Sequence, residues 1–437
     1  MAEVGGGGTR QKHWNAGPER KHWKHLYDEV VATEICVGCS ACVVACPHDV
    51  IEMQDFRPVH IKEEGPDLPP PEEQGPDYCI HGEKSCSLCA MACLRLEPAF
   101  DAIEKLLYGR RRKHPSEPWG VTREIWLARA TDPEIFKKGQ DGGVVTAMLA
   151  WMMENGEIDG ACTAKPRDDI PWLDEPFLAT SKEDLLISAG SRYTYSSNPL
   201  AMKEAAQKKL KKLAMVGVSC ESTAVREMQA EGIKRWSKMV KFVAGLMCNE
   251  TFKYEPFIHE IVIGRYGIDL DKVVKINVKG DVVVTLNDGS PDIRIPLKEC
   301  QVYANEWCHH CPDFAAEHSD ISFGGIGETG WTMCLIRSEY GQDVWDRAVA
   351  AGVIETRPST ESPKGMRVLE ALAKKQRRRV GPFESHAAGR WPVREVLDRM
   401  KVEYIEEQLE PEVYAAKQAA KAEKAAAKKA KDAAPAK

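Results

Sequence analysis

Four cysteines fall within eleven residues near the start of the chain, at Cys36, Cys39, Cys42 and Cys46, and Pro47 follows the last of them. The spacing C-x2-C-x2-C-x3-C-P lets three thiolates of one tight loop reach one [4Fe–4S] cubane, while the fourth thiolate serves a different cluster. Zinc is the alternative metal, but its cysteine ligands come as two separated pairs rather than as four cysteines in one loop. We therefore expect iron–sulfur ligation in this segment.

A second cysteine set repeats the x2 and x3 spacings, with Leu94 where Pro is expected and six residues between its first two cysteines. Two such sets resemble the bacterial two-cluster ferredoxins, in which each set lends its last cysteine to the other cluster. This resemblance implies two [4Fe–4S] clusters with exchanged ligands. One is expected on Cys36, Cys39, Cys42 and Cys93, and the other on Cys79, Cys86, Cys89 and Cys46.

A glycine-rich stretch, Gly139 to Gly143, precedes a helical pattern whose apolar positions run from Val144 to Met152. Glycines at the start of a helix let a phosphate approach the free backbone N–H groups and the positive end of the helix dipole. An ordinary turn fits these residues equally well, since Asp141 could cap the helix through its carboxylate. The stretch alone leaves both a nucleotide site and a structural turn open.

The elements that must position these motifs divide the chain into five predicted parts. The basic run from Arg110 to His114 is expected to be a solvated part of an interdomain linker. The final segment, Ala415 to Lys437, is almost entirely Ala and Lys, so it has no apolar face to bury. The five parts are an N-terminal arm (1–31), a two-cluster ferredoxin-like domain (32–105), a linker (106–120), a larger domain (121–400) and a tail (401–437).

Apolar β-type runs alternate with helical patterns through the larger domain. Strands are predicted at Leu213–Val218 and Phe242–Met247, and helices at Asp141–Asn155 and Ser222–Glu231. This alternation predicts an α/β domain with an at least partly parallel sheet. The strands of an inserted antiparallel hairpin are predicted at Val273–Val278 and Asp281–Leu286.

Composition and charge exclude several function classes. Charges of both signs are interspersed and sum to −6, so we expect no nucleic-acid partner. The longest apolar run has only ten residues, Val144–Met153, and no hydrophobic signal region follows Met1, so we expect no membrane span, no secretion and a cytoplasmic location. Fifteen cysteines in a reducing cytosol are then metal ligands or buried small side chains, and we expect burial for Cys162 and Cys334.

Several stretches between residues 122 and 360 occur together, in order and with characteristic spacing. They are Gly139–Met148, Asn155–Gly160, Ala189–Tyr193, Val216–Cys220, Gly245–Cys248, Cys308–Phe314, Asp320–Gly324 and Gly330–Thr332. Together they resemble the coenzyme F-420 hydrogenase/dehydrogenase beta-subunit family. Members with an N-terminal two-cluster ferredoxin look like the input subunit of reduced-F-420 dehydrogenase complexes, and this chain has the same layout.

The resemblance implies an α+β and α/β multidomain protein, with a bacterial-type 2[4Fe–4S] ferredoxin fold followed by a mixed α/β flavin-binding domain. It implies bound FAD, a further [4Fe–4S] cluster beside the flavin, and exchange of hydride with coenzyme F-420. Related members act on tetrapyrroles or serve formate dehydrogenases, so family membership does not fix the substrate.

Carried onto this sequence, the resemblance implies two sets of site residues and assigns no catalytic residue. The core cluster is expected on Cys220, Cys248, Cys308 and Cys311, with Cys300 competing with Cys220 for the first place. Arg192 suits a pyrophosphate or an acidic deazaflavin tail equally well. The full cofactor-binding set is Gly139, Gln140, Asp141, Gly142, Gly143, Thr146, Ser191, Arg192 and Tyr193.

These expectations combine into an electron-transfer function. A deazaflavin gives up two electrons together as hydride, whereas a cubane accepts one at a time, and a flavin can mediate between them. We expect electrons to pass from F-420 through FAD and the core cluster to the ferredoxin clusters, and then to a ferredoxin or a redox partner subunit. The alternatives are a ferredoxin-dependent reductase of an organic substrate and a non-catalytic relay subunit.

Overall fold

The computed structural model describes residues 20–379, except 67, 114, 115, 234, 235 and 237, together with residue 419. Most of the predicted N-terminal arm (1–31), the end of the predicted larger domain (121–400) and almost all of the predicted tail (401–437) lie outside the described residues. Within the part of the chain that is described, no helix is both long and apolar enough to cross a bilayer.

The described strands form three sheets of two, three and eight strands. In chain order they are β1 (Ile51–Gln54), β2 (Arg57–His60), β3 (Glu124–Ala130), β4 (Gly160–Pro166), β5 (Asp174–Ala179), β6 (Leu213–Val218), β7 (Val240–Leu246), β8 (Val273–Val278), β9 (Asp281–Leu286), β10 (Ile293–Pro296), β11 (Ile321–Gly324), β12 (Thr332–Ile336) and β13 (Ile354–Pro358).

The described helices are mostly short. The α-helices are α1 (Trp23–Leu26), α2 (Ala41–Ala45), α3 (Ile80–Glu83), α4 (Leu88–Met91), α5 (Phe100–Tyr108), α6 (Pro133–Lys138), α7 (Val144–Glu154), α8 (Lys182–Ser188), α9 (Ala201–Gln207), α10 (Ser219–Ala230), α11 (Leu297–Gln301), α12 (Glu339–Ala350) and α13 (Pro363–Arg377). Two π-helical segments span Tyr27–Val31 and Glu255–Arg265, and 3-10 turns span Asn198–Leu200, Leu270–Lys272, Glu306–His310 and Ser359–Glu361.

The larger domain is built on the eight-stranded sheet, in the order β13-β3-β12-β11-β7-β6-β4-β5. Its central strands β4, β6, β7 and β11 are parallel, and the outer pairs are antiparallel. The prediction of a partly parallel α/β sheet is therefore confirmed. β6 and β7 are almost wholly buried, because helices cover both faces of a parallel sheet.

The parallel pair β6 and β7 brings two cysteines to one edge of the sheet. Val218 pairs with Leu246 at the carboxyl ends of the two strands. Cys220 follows in the first turn of α10, and Cys248 lies two residues beyond β7. Since carboxyl ends of parallel strands meet at one edge, residues 28 positions apart in the sequence become neighbours.

A separate three-stranded antiparallel sheet, β10-β9-β8, carries its own apolar core. β8 and β9 have the bounds predicted for the inserted hairpin, so this prediction is confirmed. The third strand, β10, was not predicted from the sequence. Buried side chains of the π-helical segment Glu255–Arg265, including Phe257 and Val262, complete this core.

The cysteine-rich front of the molecule is a compact unit around the hairpin β1–β2 and four short helices. Trp23 is fully buried in its apolar core, and its indole Nε1 donates a 2.9 Å hydrogen bond to the carbonyl of Pro76. The end of the predicted N-terminal arm (1–31) thus packs into this core. This unit has only short helices. We expect its cysteine ligands, rather than long apolar helix faces, to organise it.

The predicted linker is partly packed against the larger domain, although Arg111 and Lys113 are exposed. α5 extends to Tyr108, and the Tyr108 hydroxyl donates a 2.5 Å hydrogen bond to the carbonyl of Glu317. The expectation of a solvated basic run is wrong at Arg112, whose side chain is 4% exposed and forms ion pairs with Glu104 and Glu317. A guanidinium is buried here because two carboxylates balance its charge.

Candidate iron–sulfur and cofactor sites

The first thiol group lines a cavity of about 350 Å³ in the front unit. Its four cysteines, which we call the inner group, are Cys36, Cys39, Cys42 and Cys93. The loop turns sharply at Gly38, whose φ of +68° suits glycine, and a Cβ there would lie 2.8 Å from the Phe56 carbonyl oxygen. Burial, with a contribution from the Cys36 thiol, raises the pKa of Cys93 to about 12.

A second thiol group, which we call the outer group, contains Cys46, Cys79, Cys86 and Cys89. Burial is the largest cause of the raised pKa of Cys89, and the thiols of Cys79, Cys86 and Cys46 raise it further. Cys46, which belongs to the first cysteine set, also raises the pKa of Cys79 from the second set. The structure therefore brings the eight cysteines together in the exchanged groups that the sequence predicts.

The histidine rings of the front unit lie beside the outer group. His48 and His81 stack face to face with ring centroids 3.6 Å apart. His81 Nε2 lies 3.2 Å from a carboxylate oxygen of Glu63. His48 and His81 follow the outer-group cysteines Cys46 and Cys79 by two residues in the sequence.

A third thiol group, the core group, gathers cysteines from three segments of the larger domain. Cys308 and Cys311 come from the 3-10 turn Glu306–His310 and its end, and meet Cys220 and Cys248 from the sheet edge. Burial raises the pKa of Cys248 well above its ordinary value, with further contributions from Cys308 and Cys311. Burial also raises that of Cys220, with contributions from Glu221 and Cys311.

Hydroxyl groups lie within hydrogen-bonding distance of core-group sulfurs. The Tyr195 hydroxyl is 3.5 Å from the Cys220 sulfur, and the Thr251 hydroxyl is 3.7 Å from the Cys308 sulfur. Hydrogen bonds to ligand sulfur stabilise a reduced cluster and raise its reduction potential. This environment suits a redox group better than a purely structural metal.

Cys300 lies elsewhere and does not join the core group. It is fully buried in the apolar core of the small sheet, where burial raises its pKa to about 11 with Glu299 and Arg265 as its charged neighbours. Cys162 and Cys334 are also fully buried, in β4 and β12. The geometry therefore favours Cys220 over Cys300 as the fourth core cysteine.

The arrangement of the thiols around shared spaces suits clusters better than single ions. Within the described residues, no three His, Cys, Asp or Glu side chains close around one metal ion. A cubane of four irons keeps its four thiolates farther apart than a single ion does, so it requires a cavity. Besides the inner cavity, a second cavity of about 480 Å³ is lined by Cys220 and Cys311.

The glycine-rich loop makes a tight approach to the large sheet. Gly143 immediately precedes α7 with φ +71°, and no side chain caps this helix. A Cβ on Gly142 would lie 2.8 Å from the Thr332 hydroxyl and 2.9 Å from the Ala128 carbonyl oxygen. Asp141 does not act as the N-cap, since Lys279 Nζ lies 3.0 Å from its carboxylate. Because no side chain caps the first turn of α7, its backbone N–H groups remain available to bind an anion.

The small sheet contributes two lysines to this loop that sequence reasoning missed. Lys275 Nζ donates a 2.6 Å hydrogen bond to the Gln140 carbonyl, and Lys279 pairs with Asp141. The Gln140 side-chain amide in turn donates to the Ile276 carbonyl at 2.9 Å. Side chains alternate between the two faces of a strand, so the four-residue spacing of Lys275 and Lys279 indicates that both lie on one face.

The predicted second wall surrounds the same loop. Ser191 N–H donates to the Gln140 side chain at 3.2 Å, and the Tyr193 hydroxyl accepts from Val278 N–H at 3.1 Å. Arg192 is ion-paired with Asp174, whose pKa burial raises to about 6 although Arg192 opposes the rise. Gly139 and Thr146 flank the loop on either side. The structure thus brings the predicted cofactor-binding residues together, with Arg192 already partnered.

Residues of both this loop and the core group act electrostatically on Tyr193. Burial is the largest cause of its raised pKa, and both Asp141 and Cys248 raise it further. Trp331, by contrast, lies between the guanidinium groups of Arg129 and Arg357, at 4.6 and 4.3 Å from its ring centroid. Its two neighbours make it a packing residue rather than a platform for a ring system.

Comparison with family models gives three matches along the chain. Residues 125–203 match the model of the coenzyme F-420 hydrogenase/dehydrogenase beta subunit N-term, and residues 210–362 match that of its C terminus. Residues 35–95 match a 4Fe-4S dicluster domain. The matched ranges contain all twelve cysteines of the inner, outer and core groups.

Curated relatives and a solved structure agree with these matches. A coenzyme F-420 hydrogenase subunit beta from Methanothermobacter thermautotrophicus is 35% identical over 58% of this chain and 91% of its own length. One of the subunits of the F-420H2 dehydrogenase from Methanosarcina mazei is 28% identical over 73% of this chain and 83% of its length. A chain of the F-420-reducing [NiFe] hydrogenase complex from Methanosarcina barkeri has a TM-score of 0.58 and 35% identity, covering 61% of this chain and 91% of that one.

Proposed function

Because the chain belongs to the coenzyme F-420 hydrogenase/dehydrogenase beta-subunit family, we propose that it passes electrons between coenzyme F-420 and three [4Fe–4S] clusters through bound FAD. The chain is an oxidoreductase with a 4Fe-4S dicluster domain. The finer proposal covers the flavin, the third cluster and the partner. In this proposal, electrons pass from F-420 to FAD, then to the clusters of the core, inner and outer groups, and finally to a ferredoxin or a redox partner subunit.

The arrangement of the cofactor-binding residues relative to the thiol groups supports this route. Asp141 in the glycine-rich loop and Cys248 in the core group both raise the pKa of Tyr193. The start of α7 with Lys275 offers donors for a diphosphate. FAD bound at this loop would accept electrons as hydride and release them singly to the core group.

The protein's own residues would hold and separate the redox groups. Once Cys220 and Cys308 are thiolate ligands, the hydroxyls of Tyr195 and Thr251 would donate hydrogen bonds to their sulfurs and stabilise added negative charge there. Arg57 Nη1 donates to the Cys36 carbonyl at 2.7 Å and stiffens the inner loop. Cys42 and Cys308 are buried and the other inner and core cysteines are half-buried, so water has limited access to them, which would limit side reactions of reduced clusters.

The decisive experiment is the cofactor content of protein purified without oxygen, followed by its reduction with F-420H2. Three cubanes require about twelve iron atoms per chain, and the proposal requires one FAD. F-420H2 should bleach the visible absorption of both the flavin and the clusters. Bleaching by reduced ferredoxin alone would instead indicate a ferredoxin-dependent reductase. Absence of flavin after acid extraction would indicate a relay subunit.

Replacement of Cys220 by Ala is expected to remove the core cluster, whereas replacement of Cys300 by Ala is expected to leave it in place. Cys220 lies with Cys311 at the thiol-lined cavity, and Cys300 lies in the apolar core of the small sheet. The expected iron content is about eight atoms for the first variant and about twelve for the second. Equal iron contents, measured together with the low-temperature EPR spectrum, would contradict this assignment.

A further inference from the structure

Two residues form a common wall between the inner and core thiol groups. Leu94 and Arg95 line the cavity of about 350 Å³ that holds Cys93, and also the cavity of about 480 Å³ that holds Cys220. They follow directly after Cys93, at the point where the cysteine motif departs from the usual proline. A proline at position 94 would fix the backbone, whereas Leu94 lets the chain continue between the two cavities.

Arg95 connects the front unit with the loop that carries the core cysteines. Its side chain is buried, with only 4% of the residue exposed. Its Nη1 donates a 2.8 Å hydrogen bond to the His310 carbonyl, and its Nη2 donates to the Trp307 carbonyl at 3.3 Å. These carbonyls flank Cys308 and Cys311, so one guanidinium holds the Cys-x2-Cys loop from the front unit.

The charge of Arg95 lies within the field of thiols from both groups. Its guanidinium is hydrogen-bonded to the loop of Cys308 and Cys311, and Arg95 lines both the cavity of Cys93 and that of Cys220. A buried cation stabilises negative charge on neighbouring groups much more strongly than a solvated one, because the effective dielectric constant is lower. Each cubane gains one negative charge when it is reduced.

We propose that Arg95 is a positioning residue that fixes the separation of the inner and core clusters and makes both of them easier to reduce. The inference rests on the proposed function only in requiring that both thiol groups hold clusters. It does not depend on which hydride donor the protein uses. The outer group, none of whose cysteines lines either of the two cavities that Arg95 lines, is the internal reference.

The test is a reductive titration with dithionite, followed by EPR, of the full chain purified without oxygen. Arg95→Gln should shift the midpoint potentials of the inner and core clusters to lower values and leave the outer cluster unchanged. Arg337→Gln is the matched control, because Arg337 is 1% exposed, also donates to backbone carbonyls, and has Tyr108, Asp313 and Glu104 as its charged neighbours. Its three potentials should equal those of the unaltered protein.

Arg95→Lys separates the charge from the geometry. Lysine keeps the charge but cannot hold both carbonyls, so the potentials should return toward the unaltered values while the magnetic coupling between the inner and core clusters weakens. Unchanged potentials in Arg95→Gln, or equal shifts of all three clusters, would overturn the proposal. If Arg95→Gln loses its clusters, unaltered coupling in Arg95→Lys would overturn it instead. Dithionite reduces the clusters without F-420, so an unaltered protein that dithionite reduces but F-420H2 does not would contradict the proposed function alone.

Discussion

Replacement of Glu317 by Gln is expected to lower the free energy of unfolding by about 3–5 kcal/mol, since the change removes the charge from a buried ion-pair network. The Glu317 side chain is 3% exposed and pairs with both Arg112 and Arg377. Arg112 would keep only Glu104 as its counter-charge, and Arg377, whose side chain is 15% exposed, would lose its carboxylate partner. Thermal unfolding of the anaerobic holoprotein should show a midpoint several degrees lower.

The control for Glu317→Gln is Glu355→Gln, which breaks an ion pair of the same kind at the surface. Glu355 and Arg129 are 51% and 39% exposed, and water screens such pairs, so the expected loss is below about 1 kcal/mol. A Glu317 variant with the same unfolding midpoint as the Glu355 variant would show that the network adds no stability. Iron content must be measured in both variants, so that cluster loss is not mistaken for loss of the ion pairs.

Replacement of Lys275 by Ala is expected to weaken FAD binding by about tenfold to a hundredfold, the range given by a charge-assisted hydrogen bond of about 1.5–3 kcal/mol. Lys275 Nζ donates to the Gln140 carbonyl beside the start of α7, so its charge lies where a diphosphate would sit. The measurement is the quenching of flavin fluorescence on titration of flavin-free protein with FAD. Lys279→Ala should act in the same direction, because Lys279 neutralises Asp141.

Lys272→Ala is the matched control for the lysine pair. Lys272 immediately precedes β8, is 50% exposed, and lies 3.9 Å from Asp288 rather than near the glycine-rich loop. Its removal should leave the FAD affinity unchanged. Burial lowers the pKa of Lys275, so FAD binding should weaken at alkaline pH before ordinary lysines lose their protons, and this dependence should vanish in Lys275→Ala. Equal FAD affinities for the Lys272 and Lys275 variants would exclude a role for Lys275.

The sequence was sufficient where the signal is local. β6, β8 and β9 have the predicted bounds because each is a continuous apolar or β-branched run with a clear end. The family membership and the 4Fe-4S dicluster domain, both inferred from motifs, are confirmed by the family matches. FAD, the third cluster and the exact domain boundaries stay predictions.

The sequence was insufficient where distant segments meet. Arg112 reads as solvated in a basic run, because its partner Glu317 lies 205 residues away. The sequence around Lys275 does not indicate a role at the glycine-rich loop, since Gln140 precedes it by 135 residues. Asp141 fits a helix cap by its position, but Lys279 binds its carboxylate instead. Long-range charge pairing, rather than local propensity, determined each of these outcomes.

A single proteolytic cut after residue 120 would produce two fragments that remain associated in solution. The shorter fragment would keep Arg95 hydrogen-bonded to Trp307 and His310, and the backbone N–H of Ala99 bonded to the carboxylate of Glu227. Tyr108 would stay bound to Glu317. Although the two parts can be told apart as separate sequence families, their co-purification would resemble that of tightly bound subunits encoded by different genes.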